Sequence, residues 1–433
     1  MEKSSRDAAQ GKSRRRGGVD TTVHEHAGPG FNAAMRPSGL FRLPPLALYV
    51  HLPWCVRKCP YCDFNSYENT GRLPEREYTD ALLRDLDSEI AAVRGRPLIS
   101  IFFGGGTPSL FSGGAIARLL AGIRERLPLA ADAEITLEAN PGTAEAEHFA
   151  AYRAAGVNRL SLGVQSFRDE QLRALGRVHN AAGAERAFEL ARAAGFDNIN
   201  LDLMYALPGE RDAAGALNDL RRAIDFAPEH LSWYQLTLEP GTAFHRRPPA
   251  LPDEDLVDVV EAQGRALLAS AGYARYEVSA HARAGRASRH NLNYWRFGDY
   301  LGIGAGAHGK LTIAGNGVIR RVKQRNPPAY MRGAGTPAVV TEEIIGDRDQ
   351  IIAEFMLCAL RLCDGVPRSL FEERTGLPLS AVARGIEHAR RLDLLERDDA
   401  RLRPTTRGQR YLNDLIAMFA GGAGGLLHAG HAA

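Results

Sequence analysis

The sequence predicts an α/β fold in which a parallel sheet wound with helices is followed by a smaller helical domain. Three observations predict it. From Leu46 to about Val278 short apolar strands alternate with segments of helical periodicity, a pattern that demands parallel strands joined by right-handed crossovers. Polar or glycine-rich features stand at the C-terminal ends of successive strands, as on the active face of a barrel. From about Asp347 the strand signal gives way to helices. Periodicity leaves a doubly wound sheet and a barrel both open, and the strand-end features favour the barrel.

In chain order, the strands expected are Ala47–Leu52, Leu98–Phe103, Glu134–Ala139, Arg159–Val164, Ile199–Met204 and Leu231–Leu238. Helical periodicity falls between them at Tyr78–Val93, Ala115–Leu127, Ala181–Ala194 and Ala213–Phe226. A cysteine loop follows the first strand and Gly104-Gly105-Gly106-Thr107 the second. Glu138 and Asn140 close the third, Gln165 ends the fourth, and Asp202 lies on the fifth. Residues 281–345 read as a loop-rich aromatic segment. Helices are expected at Gln350–Leu362, Ser369–Thr375 and Ser380–Leu392, a two-stranded wing at Leu394–Arg397 and Ala400–Pro404, and a last helix at Arg407–Phe419. That order is winged-helix-like. The division is therefore a basic arm (1–45), a barrel (46–280), an aromatic segment (281–345), a C-terminal domain (346–420) and a flexible tail (421–433).

The chain's 433 residues allow several domains and a large core. Residues 1–45 hold eight Lys/Arg against four Asp/Glu, so they carry +4 of a total of +3 and leave the body at −1. A body this close to neutral implies no broad nucleic-acid surface, and Ser380–Leu392 carries both signs of charge, so the C-terminal domain is expected to pack or to bind a partner. The arm is rich in Gly, Ser and Arg and lacks an apolar segment after its basic residues, so it reads as disordered and not as a secretory signal; arm and tail are both expected to be dispensable for chemistry. No apolar run approaches a membrane span, and the five cysteines form no paired framework. The expected compartment is a reducing cytoplasm. A homodimer and a peripheral membrane contact are both compatible with this sequence.

Three of those cysteines, Cys55, Cys59 and Cys62, stand in a C-x3-C-x2-C spacing. Such a loop can hold three irons of a four-iron cluster and leave the fourth without a protein thiolate, open to a ligand. The alternative is a zinc site closed by His51 or Asp63, since no second C-x2-C follows. The consecutive glycines at 104–106 let backbone approach a ligand; no Gly-Lys-Ser/Thr follows, so they are not a phosphate loop.

The cysteine spacing, with Tyr61 just before its last member, resembles the radical S-adenosylmethionine (SAM) enzymes. The resemblance implies a six-stranded partial (β/α)6 barrel, a 4Fe-4S cluster on Cys55, Cys59 and Cys62, and SAM held at the open iron by its amino and carboxylate groups. Gly105, Gly106 and Thr107 are the contacts it implies for the amino end. A closer resemblance spans residues 46 to about 420, through the segments 49–55, 103–108, 138–141, 163–167 and 200–209. These are similar to the oxygen-independent coproporphyrinogen III oxidases and their sister group, the HemW haem chaperones. It adds Tyr49, Tyr61, Glu138, Gln165, Arg177, Asp202 and Leu236 to the SAM site. The residue types suit that task. Asp202 can accept from ribose hydroxyls, Gln165 can donate and accept, and Arg177 can clamp a carboxylate.

Two departures separate the sister groups. Where the oxidases carry a further cysteine two residues after the third, this chain has Phe64. The segment from His290 to Trp295 matches the H-N-x-x-Y-W motif of the chaperone branch, and an imidazole beside flat aromatic rings suits haem. The resemblance thus implies a haem chaperone with no catalytic residue of its own, which binds haem through His290 and Trp295 and passes it to an apo-haemoprotein. The enzyme reading is oxidative decarboxylation of two propionates of coproporphyrinogen III, and a winged-helix nucleic-acid partner is a third reading.

Overall fold

The computed structural model describes residues 43–420 apart from 94, 143–145 and 314–316; nearly all of the basic arm and the whole of the tail lie outside the described residues. Six parallel strands form its centre: β1 (Leu46–Leu52), β2 (Leu98–Gly105), β3 (Leu129–Ala139), β4 (Arg159–Gln165), β5 (Ile199–Tyr205) and β6 (His230–Gln235). Each pairs with the next in sequence order. A doubly wound sheet would reverse direction at a switch point. One-way winding instead curls the sheet towards a barrel and puts every crossover helix on its outside.

The strand pleat separates two environments. Leu48, Val50 and Leu52 of β1, Leu160, Leu162 and Val164 of β4, and Leu201 and Leu203 of β5 are buried in the core shared with the helices. The alternate residues point the other way, into the barrel, because successive side chains leave a strand on opposite faces.

Residues 281–345 depart from the loop-rich expectation. After the short strands β7 (Ala274–Arg275) and β8 (Ala280–Ala282), they supply β9 (Asp299–Ile303), β10 (His308–Ile313), β11 (Gly317–Lys323) and β12 (Val340–Ile345). β9 lies parallel to β1, and the others continue antiparallel, giving a twelve-stranded sheet. The run of glycines after Tyr300 looked like a loop because glycine weakens a strand signal. Here Gly302 is needed inside the strand, since a Cβ would collide with the backbone of His308 on β10. A buried ion cluster fixes this extension: the Lys323 ammonium donates to Asp85 and Glu89, both at 2.6 Å, on the helix Glu75–Val93.

The C-terminal domain has its own core, built from Phe355, Phe371, Ile386 and Leu415 among others, and Phe297, Val318 and Ile345 of the sheet extension pack into it. Its helices run Arg348–Ala359, Arg368–Thr375 and Ala383–Arg391. The wing differs from expectation. Arg401–Leu402 pairs with Val366–Pro367, and only a single bridge joins Leu395 to Pro404. The last helix breaks at Tyr411 into Thr406–Arg410 and Leu412–Ala417. Among the described residues no helix is long and apolar enough to cross a membrane.

Candidate functional site

Two chambers lie inside the barrel, an outer one of about 300 Å³ at the C-terminal strand ends and an inner one of about 440 Å³. Ordinary ligand pockets span that range. They are stacked along the strands, and the pleat shows how. On β4 Arg159 lines the inner chamber, Ser161 both, and Gly163 and Gln165 the outer; on β6 the series is His230, Ser232 and Tyr234, and on β5 Asn200 then Asp202. Phe64, Gly105 and Glu138 are also common to both, so they form the partition.

The cysteine loop roofs the outer chamber. Trp54 anchors it, packing edge-on to Tyr78 with centroids 4.7 Å apart. Lys58 donates to the carbonyls of Phe64 (2.9 Å) and Ser66 (3.2 Å) and closes the turn. His51 ties the loop to β1: its Nδ1 meets the Tyr49 hydroxyl at 3.0 Å and its Nε2 the Asn65 carbonyl at 2.9 Å. With both ring nitrogens engaged, His51 does not act as the fourth ligand of a zinc site. Among the described residues no three His, Cys, Asp or Glu side chains converge as a single metal ion requires. A cluster asks for less convergence, because each thiolate takes a different iron. Burial pushes the Cys55 thiol up to about 11 against a hydrogen bond from Thr107, so ligation must displace protons.

The glycine strip is stitched to this loop through backbone. Gly106 N–H donates to Leu52 O (2.9 Å) and Thr107 N–H to Trp54 O (2.7 Å). A Cβ on Gly106 would sit 2.6 Å from the Trp54 carbonyl oxygen. Gly105 has φ +116°, and its Cβ would meet the His51 ring at 2.6 Å. Its absence of side chain therefore serves the packing of His51 as well as any ligand.

Charged groups converge on the outer chamber. Arg177 donates to Cys59 Sγ at 3.6 Å, to Gly163 O at 2.7 Å and to Asn140 Oδ1. Gln165 holds φ +69°, rare for a residue with a Cβ. The next two residues are gripped by Asp219, whose carboxylate accepts from the Ser166 hydroxyl (2.6 Å) and Phe167 N–H (2.9 Å). The Tyr234 hydroxyl donates to Gln165 Oε1 at 2.8 Å. Glu138 accepts from Gly105 N–H at 3.2 Å; burial, and then the charge of Asp202, push its carboxyl up to about 8. Asp202 is likewise raised by burial, opposed by hydrogen bonds from Asn200, Ser232 and Ser161.

Two of the residues expected to contact SAM do not line the outer chamber. Tyr49 lines the inner chamber, stacked on Phe102 at 6.3 Å. Leu236 packs with Leu175, Met204 and Leu207 behind Tyr61 and does not line either chamber. The inner chamber also holds the other predicted cluster. His290 and Trp295 share the short helix Arg289–Trp295, whose N-terminal N–H groups of Arg289 and His290 donate to Glu134, both at 3.1 Å. A carboxylate there satisfies the helix end and its dipole. His290 Nδ1 bonds the Ser100 hydroxyl at 3.0 Å, and no hydrogen bond reaches Nε2 among the described residues. Burial, then the charge of Arg159, lower its pKa to about 4, so the imidazole is neutral near pH 7. Trp295 also packs towards the C-terminal core, with the Arg361 guanidinium 4.7 Å over its ring.

Sequence reasoning missed Arg159, Ser161, Asn200, His230, Ser232 and Tyr234. The available signal was period two: on β4 to β6 polar residues alternate with Leu, Val or Trp, which is uncommon for strands covered on both faces.

Fold and site together define a radical SAM-type barrel. Residues 49–220 match the Radical SAM superfamily and residues 347–411 the HemN C-terminal domain. The solved coproporphyrinogen III oxidase HemN of Escherichia coli superposes with a TM-score of 0.74 over 90% of this chain and 92% of that one at 24% identity, a likeness of fold. Sequence narrows the class. "Heme chaperone HemW" of Escherichia coli is 48% identical over 380 residues, which are 88% of this chain and 99% of that protein. The protein of the same name from Haemophilus influenzae is 47% identical, over 87% and 98%. The chain belongs to the HemW family, within the radical SAM superfamily.

Proposed function

We propose that this protein is a haem chaperone that binds haem in the inner chamber and transfers it to an apo-haemoprotein. The relatives named for that task match it along nearly their whole length. One structural observation carries the geometry: a neutral His290, held at Nδ1 by Ser100, faces an aromatic-lined chamber that shares walls with the cysteine loop. An imidazole fixed through one nitrogen offers the other to a metal.

The outer chamber fits a 4Fe-4S cluster and SAM, which the superfamily implies. Cys55, Cys59 and Cys62 would hold the cluster, and a cluster with an open iron supplies electrons and an anchoring position. Arg177 would meet the SAM carboxylate; Gly105, Gly106 and Thr107 its amino group; Glu138, Gln165 and Asp202 the remaining polar atoms. Tyr61 forms the apolar wall, backed by Leu236. Five unbridged cysteines are consistent with the cytoplasm.

The test is a haem titration of anaerobically reconstituted protein beside an assay for coproporphyrinogen III conversion with SAM and a reductant. Haem should bind with a shifted Soret band and pass to an apo-haemoprotein, with no porphyrinogen product. His290→Ala should abolish the shift and weaken binding about tenfold while iron–sulfur content stays unchanged. Product formation without haem binding would establish the oxidase instead.

A further inference from the structure

Arg159 opens β4 at the floor of the inner chamber and is 2% exposed. Most of its polar neighbours satisfy one another; the Thr136 hydroxyl, in register with it on β3, is buried with no hydrogen-bond partner among the described residues. Asn200 Nδ2 donates to Ser161 Oγ and to Asp202 Oδ1, both at 2.7 Å. The Ser161 hydroxyl donates to Asp202 Oδ2 at 3.2 Å, Asn200 Oδ1 accepts from the Ser232 hydroxyl at 3.1 Å, and His230 lies between Asn200 (2.6 Å) and the Tyr276 hydroxyl (2.9 Å). Arg159 stands outside this network. Its Nε is buried without a partner, and neither a hydrogen bond nor an ion pair joins its guanidinium to any described residue. Glu138 and Asp202 feel its charge from beyond contact distance.

A buried guanidinium left without contact partners is costly, because the loss of hydration is not repaid. Such a group is retained where something else pairs with it. The chamber it faces has room for a ligand, and a planar guanidinium matches a carboxylate in bidentate fashion. Arg159 stands six residues before Gln165, roughly 20 Å along the strand. An anion reaching it therefore lies at the opposite end of the cavity from the cysteine loop. Resting on the haem reading, we propose that Arg159 is the anchor for a porphyrin propionate, so that the ligand enters carboxylate first and is read by its acid group and not only by its iron and ring.

The ligand itself supplies the first test. Full-length reconstituted protein is titrated with haem and with haem dimethyl ester, whose propionates carry no charge. The expected result is an affinity for haem at least tenfold above that for the ester, because a charge-assisted pair is lost. Arg159→Gln should bring haem to the ester's affinity and leave the ester unchanged, and Arg159→Lys should restore part of the preference. In ligand-free protein Arg159→Gln should keep or raise the Tm, since it removes an uncompensated buried charge. Equal affinity of the unaltered protein for haem and ester, a preference that survives Arg159→Gln, or a lowered Tm without ligand would each overturn the anchor while leaving haem binding intact. Absence of any haem binding by the unaltered protein would overturn the function on which it rests.

Discussion

The outer and inner chambers share the strands β2 to β6, yet their chemistry differs. The outer one gathers three thiols, a guanidinium against one of them, and carboxyls crowded together. The inner one holds aromatic rings and imidazoles kept neutral by burial, above the Arg159 guanidinium, which has no partner among the described residues. Moving one pleat along a strand is enough to cross from one to the other, as Arg159, Ser161 and Gly163 do on β4. The strands thus present different residues to the two chambers every second position, and the segment 289–325 adds His290, Trp295, Tyr300 and His308 to the inner one only.

The contrast can be broken most sharply at the cluster. Cys59→Ala should reduce iron from about four per chain to near none after anaerobic reconstitution. Haem titration of the same variant should stay close to normal if the chambers act separately, and a joint loss would merge them into one site. Next in size is Gly105→Val at the partition. With φ +116° and a Cβ 2.6 Å from the His51 ring, it should lower stability by roughly 2 kcal/mol or more and disturb both chambers at once. Calorimetry with SAM and the Tm report the two effects; a variant with normal Tm and SAM affinity would contradict the packing described.

Glu138, in the wall between the chambers, gives a pH signature. Its folded pKa of about 8 lies above its ordinary value of 4.5, so the folded state binds the proton more tightly. That contribution is fully present below about 4.5 and is lost as pH rises through 8. Ligand-free Glu138→Gln should therefore gain unfolding free energy over the native chain as pH is raised from 5 to 8.5, on the order of a few kcal/mol, read as a widening Tm difference. A difference that stays constant over this range would show that Glu138 is ionised throughout. The smallest effect belongs to Cys363. It lies beyond the helix Arg348–Ala359, not within it, with its thiol 3.7 Å from the Glu277 carbonyl oxygen. Cys363→Ala should leave iron content unchanged and unfolding free energy within about 1 kcal/mol of the native chain.

The six parallel strands were legible because buried strands between crossover helices make short apolar runs with clear breaks. The cysteines were legible because few chemistries tolerate that spacing. β9 was not, since Gly302 and Gly304 remove the side chains on which a strand signal depends, and the reason for those glycines is the approach of β10 and of His51. Gln165, Arg177 and Asp202 were found by likeness; Tyr234 and Ser232, which hold Gln165 and Asn200, had no local motif to mark them.

By itself the sequence determined the kind of chemistry: three thiols on one loop, a glycine strip after the next strand, and a histidine-aromatic segment far along the chain. Those are local facts, set by residue type and spacing. Only the tertiary structure decided that Phe64 and His290 line one chamber, that Tyr49 belongs to the inner one, and that Arg159 has no hydrogen-bond or ion-pair partner among the described residues. Pairing and desolvation depend on what the fold brings within a few ångströms: Ser100 reaches His290, and Arg159 shares the chamber with His290, only because the sheet curls.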